Sequence, residues 1–200
     1  LRRRYQWMLR AARLLAPPHH RRPIHLNARI GKLSINNEHT WYHDYRARAI
    51  AAAQSLPPSI ITTPTNAIRR SRFTLELMRS RLAFSPFGWG EVCYRDIEAA
   101  AAGAVLLKPD MSHLACAPDL YEPNETYIPL RWDNSDLEEK ASRLLENPAE
   151  AARIATNLQN RLADFILADG FIETVARALL APLPTPAPAT TPAPTAPVSA

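Results

Sequence analysis

The chain has 200 residues, which is enough for one core-bearing domain but not for two large ones. No apolar run approaches the roughly 20 residues of a membrane-spanning helix, and the first residues lack the apolar core of a secretory signal. The charge is uneven: residues 1–82 carry 16 Lys and Arg against 3 Asp and Glu, whereas residues 83–200 carry 8 against 16. A basic front half favours contact with nucleic acid, anionic lipid or an acidic partner, although solvated helix faces explain it too.

The first half of the chain predicts helices that alternate with short strands. Tyr5, Met8, Leu9 and Ala12 recur at helical spacing and predict a basic amphipathic helix over 3–15. Alternating apolar and polar residues over 23–30 predict the first strand. Thr40 is a suitable cap for a helix over 41–55. The β-branched run at 59–63 predicts a second strand, and a short helix follows at 73–79.

The second half continues this alternation. Apolar runs at 82–85, 104–107 and 127–130 predict the third, fourth and fifth strands. Ser135 and Glu138 have the spacing of a capping box. Pro148 begins another helix, which carries apolar residues at i, i+4 spacing: Ile154, Leu158, Leu162 and Ile166. A last helix is expected between Gly170 and Ala181.

The order of these elements predicts an α/β fold, namely a doubly wound parallel sheet with helices on both faces. We expect a basic helix and linker at 1–22, a Rossmann-like domain at 23–181 with extra C-terminal helices, and a disordered tail at 182–200. The tail consists almost wholly of Pro, Ala and Thr, so it lacks the apolar surface that folding requires.

The segment 85–110 carries the strongest functional signal. A strand ends in a loop with Gly88 and Gly90, and a helix beginning near Glu91 then leads to the next strand. The unpaired N–H groups and the dipole at a helix N-terminus favour a phosphate. Glu91, Arg95 and Glu98 have the spacing of one helix face, where Arg95 suits a phosphate and Glu98 a ribose. Ion pairing on a solvated face is the alternative.

Other candidates are less specific. Lys108 and His113 follow a strand, at the sheet edge where ligands of open α/β sheets bind; an ordinary loop is the alternative. His39 and His43 have chelating spacing but no obvious third ligand, so no metal is expected. Cys93 and Cys116 form no Cys-x-x-Cys pair and are read as structural thiols in a reducing compartment.

Residues 84–110 resemble the donor-binding segment of the GT-B glycosyltransferases of the group 1 and group 4 type, with its CgeB-like branch. The match is the Gly-rich loop followed by Glu-Ala-x-Ala-x-Gly at residues 98–103, with Arg95 three positions before the Glu. The similarity covers roughly residues 25–180; it is quite specific over 84–148 and weak before residue 70. Glu91 and Glu98 lie one residue closer together than the paired glutamates of many retaining members. Glu98 matches the second glutamate of that pair, so Glu91 stands one residue away from the position of the first.

The resemblance implies hexosyl transfer from a nucleotide-sugar to a carbohydrate or lipid-linked acceptor in polysaccharide biosynthesis, with no cofactor. It implies a catalytic role for Glu91 and contacts to the donor from six residues: Gly88, Gly90, Arg95, Glu98, Lys108 and His113. The family has two Rossmann-like domains, so we expect this chain to be the C-terminal half alone or part of a truncated protein, with an N-terminal partner domain or subunit.

We further expect a cytoplasmic location, with peripheral association with the inner face of a membrane as an option, and no nucleic-acid partner. The alternative function is a non-catalytic nucleotide-sugar-binding or regulatory module.

Overall fold

The structure is a computed structural model, and it describes residues 2–30, 41–117 and 119–167, together with residues 176, 177 and 180. Three predictions lie outside these residues: the cap at Thr40, most of the helix after Gly170, and the tail at 182–200. His39 also lies outside them.

The described residues form six α-helices, one 3-10 turn and four strands. The helices are α1 (Arg2–Leu15), α2 (Trp41–Gln54), α3 (Arg70–Met78), α4 (Tyr94–Ala102), α5 (Leu137–Glu146) and α6 (Pro148–Leu167). The 3-10 turn is His19–Arg21. The strands are β1 (Ile24–Asn27), β2 (Ser80–Phe84), β3 (Val105–Pro109) and β4 (Tyr127–Leu130). Within this part of the chain, no helix combines the length and apolar character needed to cross a bilayer.

The four strands form one parallel sheet in the order β1-β2-β3-β4. The predicted strand at 59–63 is reduced to a single bridge between Leu26 and Thr62 on the other edge of β1. Ile61 accepts backbone hydrogen bonds from His25 and Leu26 there. Prolines on both sides of this segment limit its length, because proline cannot donate to a ladder. The prediction of a full second strand at 59–63 is therefore wrong.

The bridge nevertheless defines the topology. After β1 the chain crosses through α2 to residues 59–63 on one side, and then through α3 to β2 on the other side. The direction of winding thus reverses at β1. Ligands of open α/β sheets bind at such a reversal, outside the carboxyl ends of the strands. The predicted Rossmann-like α/β fold is confirmed, and its switch point lies between β1 and β2.

Helices cover both faces of the sheet. On one face, α1, α3, α4 and the second half of α6 pack on Ala83, Leu106 and Tyr127. On the other face, α2, α5 and the first turns of α6 pack on strand residues such as Leu82 and Leu107. Neighbouring residues of a strand point to opposite faces, so the all-apolar strands predicted from the sequence supply both cores.

The starts of α3, α4 and α5 differ from the prediction, and α3 begins at Arg70 rather than at residue 73. Helix α4 begins at Tyr94 rather than near Glu91, because the Asp96 side chain accepts the N–H of Cys93 and makes Cys93 the N-cap. Helix α5 has Asp136 rather than Ser135 at its N-cap. In the described part of the chain no side-chain hydrogen bond caps α5, so the predicted capping box at Ser135 is wrong. The Asp136 carboxylate accepts the N–H of Arg131 at 2.9 Å and lies 2.8 Å from Lys140 Nζ.

Candidate anion-binding cleft

A cleft of about 330 Å³ lies at the carboxyl ends of β1 and β2, where the winding reverses. Three arginines line it: Arg29, two residues after the end of β1, Arg46 on α2 and Arg95 in the first turn of α4. An adjoining space of about 390 Å³ shares Tyr94 and Glu98 with it. The two spaces together are lined on one side by α3 and on the other by α4.

Arg29 has a structural role in this cleft. Its guanidinium donates two hydrogen bonds to the Glu76 carboxylate on α3, each of 2.9 Å, and it also donates to Asn66. This bidentate pair is nearly buried and fixes α3 against the end of β1. The Arg29 carbonyl in turn accepts a hydrogen bond from the Arg95 guanidinium.

Arg46 and Arg95 bring two positive charges together in a partly buried place. Arg46 Nη1 donates to the carbonyl of Phe87 at 3.2 Å. Arg95 Nε is buried and has no hydrogen-bond partner among the described residues. Burial lowers the pKa of the Arg95 guanidinium, and the neighbouring Arg46 charge lowers this pKa further. Burial also lowers the pKa of Arg46. Such a pair favours an anion, since an anion would offset both the burial and the mutual repulsion.

Glu98 lies on the same side of α4 as Arg95 and lines both parts of the cleft. It is 8% exposed, and its carboxylate accepts a hydrogen bond from Arg4 of α1 at 2.5 Å. Arg4 lines the adjoining space as well. The orientation of the Glu98 carboxylate is therefore set by a contact with α1.

Glu91 belongs to a different group from the one predicted. It lies in the loop before α4, so it does not share a helix face with Arg95 and Glu98. Its carboxylate Oε1 is 3.9 Å from His113 Nε2, which comes from the loop after β3. The His113 ring lies 5.2 Å from the ring of Trp132, which follows β4 and is 53% exposed. These three side chains form a second polar and aromatic group at the same edge of the sheet.

The two predicted loop glycines have different surroundings. Gly88 is buried, and its N–H donates to the Gly90 carbonyl at 3.1 Å. A Cβ at Gly88 would lie 3.4 Å from Cys93 Sγ and 3.8 Å from Arg46 Nη1, which is ordinary van der Waals contact. Gly90 is exposed and has open space around it. The backbone of the loop is therefore accessible at Gly90 rather than at Gly88.

Lys108 lines neither part of the cleft. It is fully buried, and its Nζ lies 3.1 Å from Asp96 Oδ2 and 5.1 Å from the centre of the Phe87 ring. The Asp96 carboxylate also accepts hydrogen bonds from Ser85 Oγ at 2.5 Å, Tyr121 OH at 2.7 Å and the Cys93 N–H at 2.9 Å. The Cys93 N–H at the start of α4 is thus taken by Asp96, which leaves fewer backbone donors for a ligand than the sequence suggested.

Sequence reasoning missed Arg46, Arg29 and Arg4 as cleft residues. Arg29 carried a usable signal, because it stands near the carboxyl end of the predicted strand over 23–30, at the ligand-binding edge of the sheet. Arg46 and Arg4 reach the cleft only through the packing of α2 and α1. Among the described residues, no group of three His, Cys, Asp or Glu side chains is placed to hold a metal ion.

The parallel sheet and the cleft at its switch point define a Rossmann-like domain with an arginine-lined edge. The glycosyl transferase-like family matches residues 3–176, and the chain belongs to this family. The match includes most of α1, which precedes the segment 25–180 that resembles the GT-B glycosyltransferases. No curated protein matches the chain. The protein is therefore of the glycosyltransferase class, as the sequence predicted.

Proposed function

We propose that the chain binds a nucleotide-sugar and that Arg46 and Arg95 hold its diphosphate. The observation that carries this proposal is the pair of guanidinium groups in one cleft at the switch point of the sheet. A diphosphate offers several anionic oxygens, and guanidinium groups bind phosphate oxygens with directed, charge-assisted hydrogen bonds. The membership in a glycosyl transferase-like family supports a sugar nucleotide over other diphosphates.

The remaining residues of the site follow from this placement. Glu98, held by Arg4, would accept hydrogen bonds from the ribose. The loop at Gly88 and Gly90 would lie along the diphosphate. The sugar would extend toward Glu91 and His113, where the exposed Trp132 ring offers an apolar face. Lys108 would act only indirectly, through Asp96, because it is fully buried.

In the proposed reaction a hexosyl group passes to a carbohydrate or lipid-linked acceptor. The bond between the anomeric carbon and the phosphate oxygen breaks, and its electron pair stays on the diphosphate. Arg46 and Arg95 would stabilise this charge, which is the largest electrostatic requirement of such a step. The Glu91 carboxylate would lie beside the positive charge that develops on the sugar. The acceptor would come from a second Rossmann-like domain or subunit.

Calorimetric titration tests the binding part of the proposal. UDP, GDP and ADP are each compared with the corresponding nucleoside, and we expect at least one diphosphate to bind more tightly than its nucleoside. Arg46→Ala and Arg95→Ala should each weaken that diphosphate about 10- to 100-fold, the usual effect of losing a charge-assisted hydrogen bond. Arg48→Ala, an exposed arginine on the same helix as Arg46, is the matched control and should bind normally.

Glu98→Gln separates the two halves of the site. It should weaken the diphosphate and the nucleoside by a similar factor, whereas Arg95→Ala should leave nucleoside binding unchanged. Thermal melts show whether each variant is folded. Equal affinity for diphosphate and nucleoside in all three pairs, or an equal loss in Arg48→Ala, would refute the proposal. Binding of a nucleotide-sugar without any transfer, in an assay that also supplies the second domain or subunit, would instead indicate the non-catalytic module.

A further inference from the structure

The outer face of α1 carries side chains that have no role in the proposed function. Arg3, Trp7, Arg10 and Leu14 follow one another at i, i+4, i+7 and i+11, so they form a single stripe along the helix, here called the α1 stripe. Trp7 is 61% exposed and Leu14 is 82% exposed. The stripe therefore alternates two cations with two large apolar side chains on the surface.

The opposite side of α1 holds the stripe in place. Tyr5, Met8, Leu9 and Ala12 are buried in the core formed with α4 and α6. Arg2 donates to the Ile166 carbonyl at 2.9 Å, and Arg4 binds Glu98. Because the inner face is anchored at both the core and these polar contacts, the stripe is presented on a rigid element.

The side-chain charge on α1, which carries the stripe, is entirely positive. Helix α1 has five arginines and no acidic residue. Neither Arg3 nor Arg10 is ion-paired with a carboxylate in the part of the chain that the structure describes. The charge of the stripe is thus complementary to an anionic surface.

We propose that the α1 stripe binds the surface of an anionic lipid bilayer. Arginines at such a surface bind headgroup phosphates, and each contributes about fivefold to partitioning. Tryptophan is enriched at the membrane–water boundary, where its ring is apolar and its N–H remains hydrated. Leu14 would enter the same boundary region. The phosphates of a nucleic acid would also pair with the two arginines, but a nucleic acid offers no apolar layer for Leu14. The alternation of Arg with Trp and Leu therefore favours a lipid surface.

The test is co-sedimentation of the 200-residue chain with vesicles of phosphatidylcholine alone or of equal parts phosphatidylcholine and phosphatidylglycerol. We expect binding to the anionic vesicles only, with a loss on raising the salt concentration. The double variant Arg3→Glu and Arg10→Glu should lower partitioning by well over tenfold, and Trp7→Ser should also lower it. The control is Arg48→Glu with Arg79→Glu, which makes the same charge change at exposed sites elsewhere.

A second measurement identifies the inserted residue and separates lipid from free phosphate. Brominated lipids should quench the fluorescence of the parent chain more than that of Trp7→Phe, and soluble glycerophosphate should not compete with the vesicles. The proposal is overturned by an equal loss in both double variants, by equal quenching of Trp7→Phe, by competition from glycerophosphate, or by no sedimentation with either vesicle. Each variant keeps the inner face of α1, so its thermal midpoint should stay close to that of the parent.

Discussion

Removing the Asp96 carboxylate should cost far more stability than removing its partner, the Lys108 ammonium. Both groups are fully buried and lie 3.1 Å apart. In Asp96→Ala, Lys108 keeps no carboxylate and is left mainly with the faces of Phe87 and Tyr121, 5.1 and 6.0 Å from its Nζ. Breaking a buried pair in this way costs about 3–5 kcal/mol.

Lys108→Met should cost less, because Asp96 keeps three other donors. The hydroxyls of Ser85 and Tyr121 and the N–H of Cys93 all still bind the carboxylate. These three hydrogen bonds continue to satisfy the oxygens of the buried carboxylate. Methionine also fills the volume of the lysine stem. We therefore expect a cost of about 1–2 kcal/mol for Lys108→Met, in the usual range of single substitutions.

The assay is urea unfolding followed by circular dichroism for the parent, both single variants and the double variant. The double variant should be more stable than the sum of the single effects predicts, since removing Lys108 also removes the unpaired charge that Asp96→Ala creates. A cost for Lys108→Met equal to or above that for Asp96→Ala, or strictly additive effects, would show that Asp96 does not organise this network as the structure indicates.

Three further predictions concern other parts of the fold. His19 is largely buried, and burial lowers its pKa from 6.5 to about 4. About 1–3 kcal/mol of the free energy of unfolding that is present above pH 6.5 should therefore be lost as the pH falls toward 4. The unfolding free energy of His19→Gln, which can still donate to the Arg81 carbonyl, should depend less on pH. Gly103→Ala should cost about 1–2 kcal/mol in urea unfolding because Gly103 has a φ of +67°, whereas Gly90→Ala, with open space around it, should cost little. Arg4→Ala should change the nucleotide affinity measured by calorimetry, because Arg4 orients Glu98. It should leave vesicle binding intact, since Arg4 lies on the inner side of α1. Equal losses of nucleotide binding and vesicle binding would link the two surfaces.

Features that depend on local pattern were predictable from the sequence. The spacing of Ile154, Leu158, Leu162 and Ile166 predicted one buried face of α6, and all four are buried. Pro148 begins that helix as expected. The strands β2, β3 and β4 were located because fully buried parallel strands are continuous apolar runs between helices. In each case the residues that determine the feature are close together in the sequence.

Features that depend on distant partners were not predictable. Helix α4 begins three residues late because Asp96 turns back to Cys93, and Asp96 is held there by Ser85, Tyr121 and Lys108 from other elements. The cleft was found only in part for the same reason. Arg95 of the cleft was predicted from the motif. Arg46 lies on α2 and lines the cleft only because of how α2 packs, which the local spacing of residues does not indicate.

The packing of α4 explains how one short helix can carry so much of the site. Ala99, Ala100, Ala101 and Ala102 are all fully buried, and side chains this small let α1, α3 and α6 approach the helix closely. Its first turn is fixed separately by the buried Asp96 network. A helix held along its length and at its start has little freedom to rotate, so Arg95 keeps its place beside Arg46. Preorganised charges of this kind stabilise an anion without reorganising as it forms, which is what the release of a diphosphate requires.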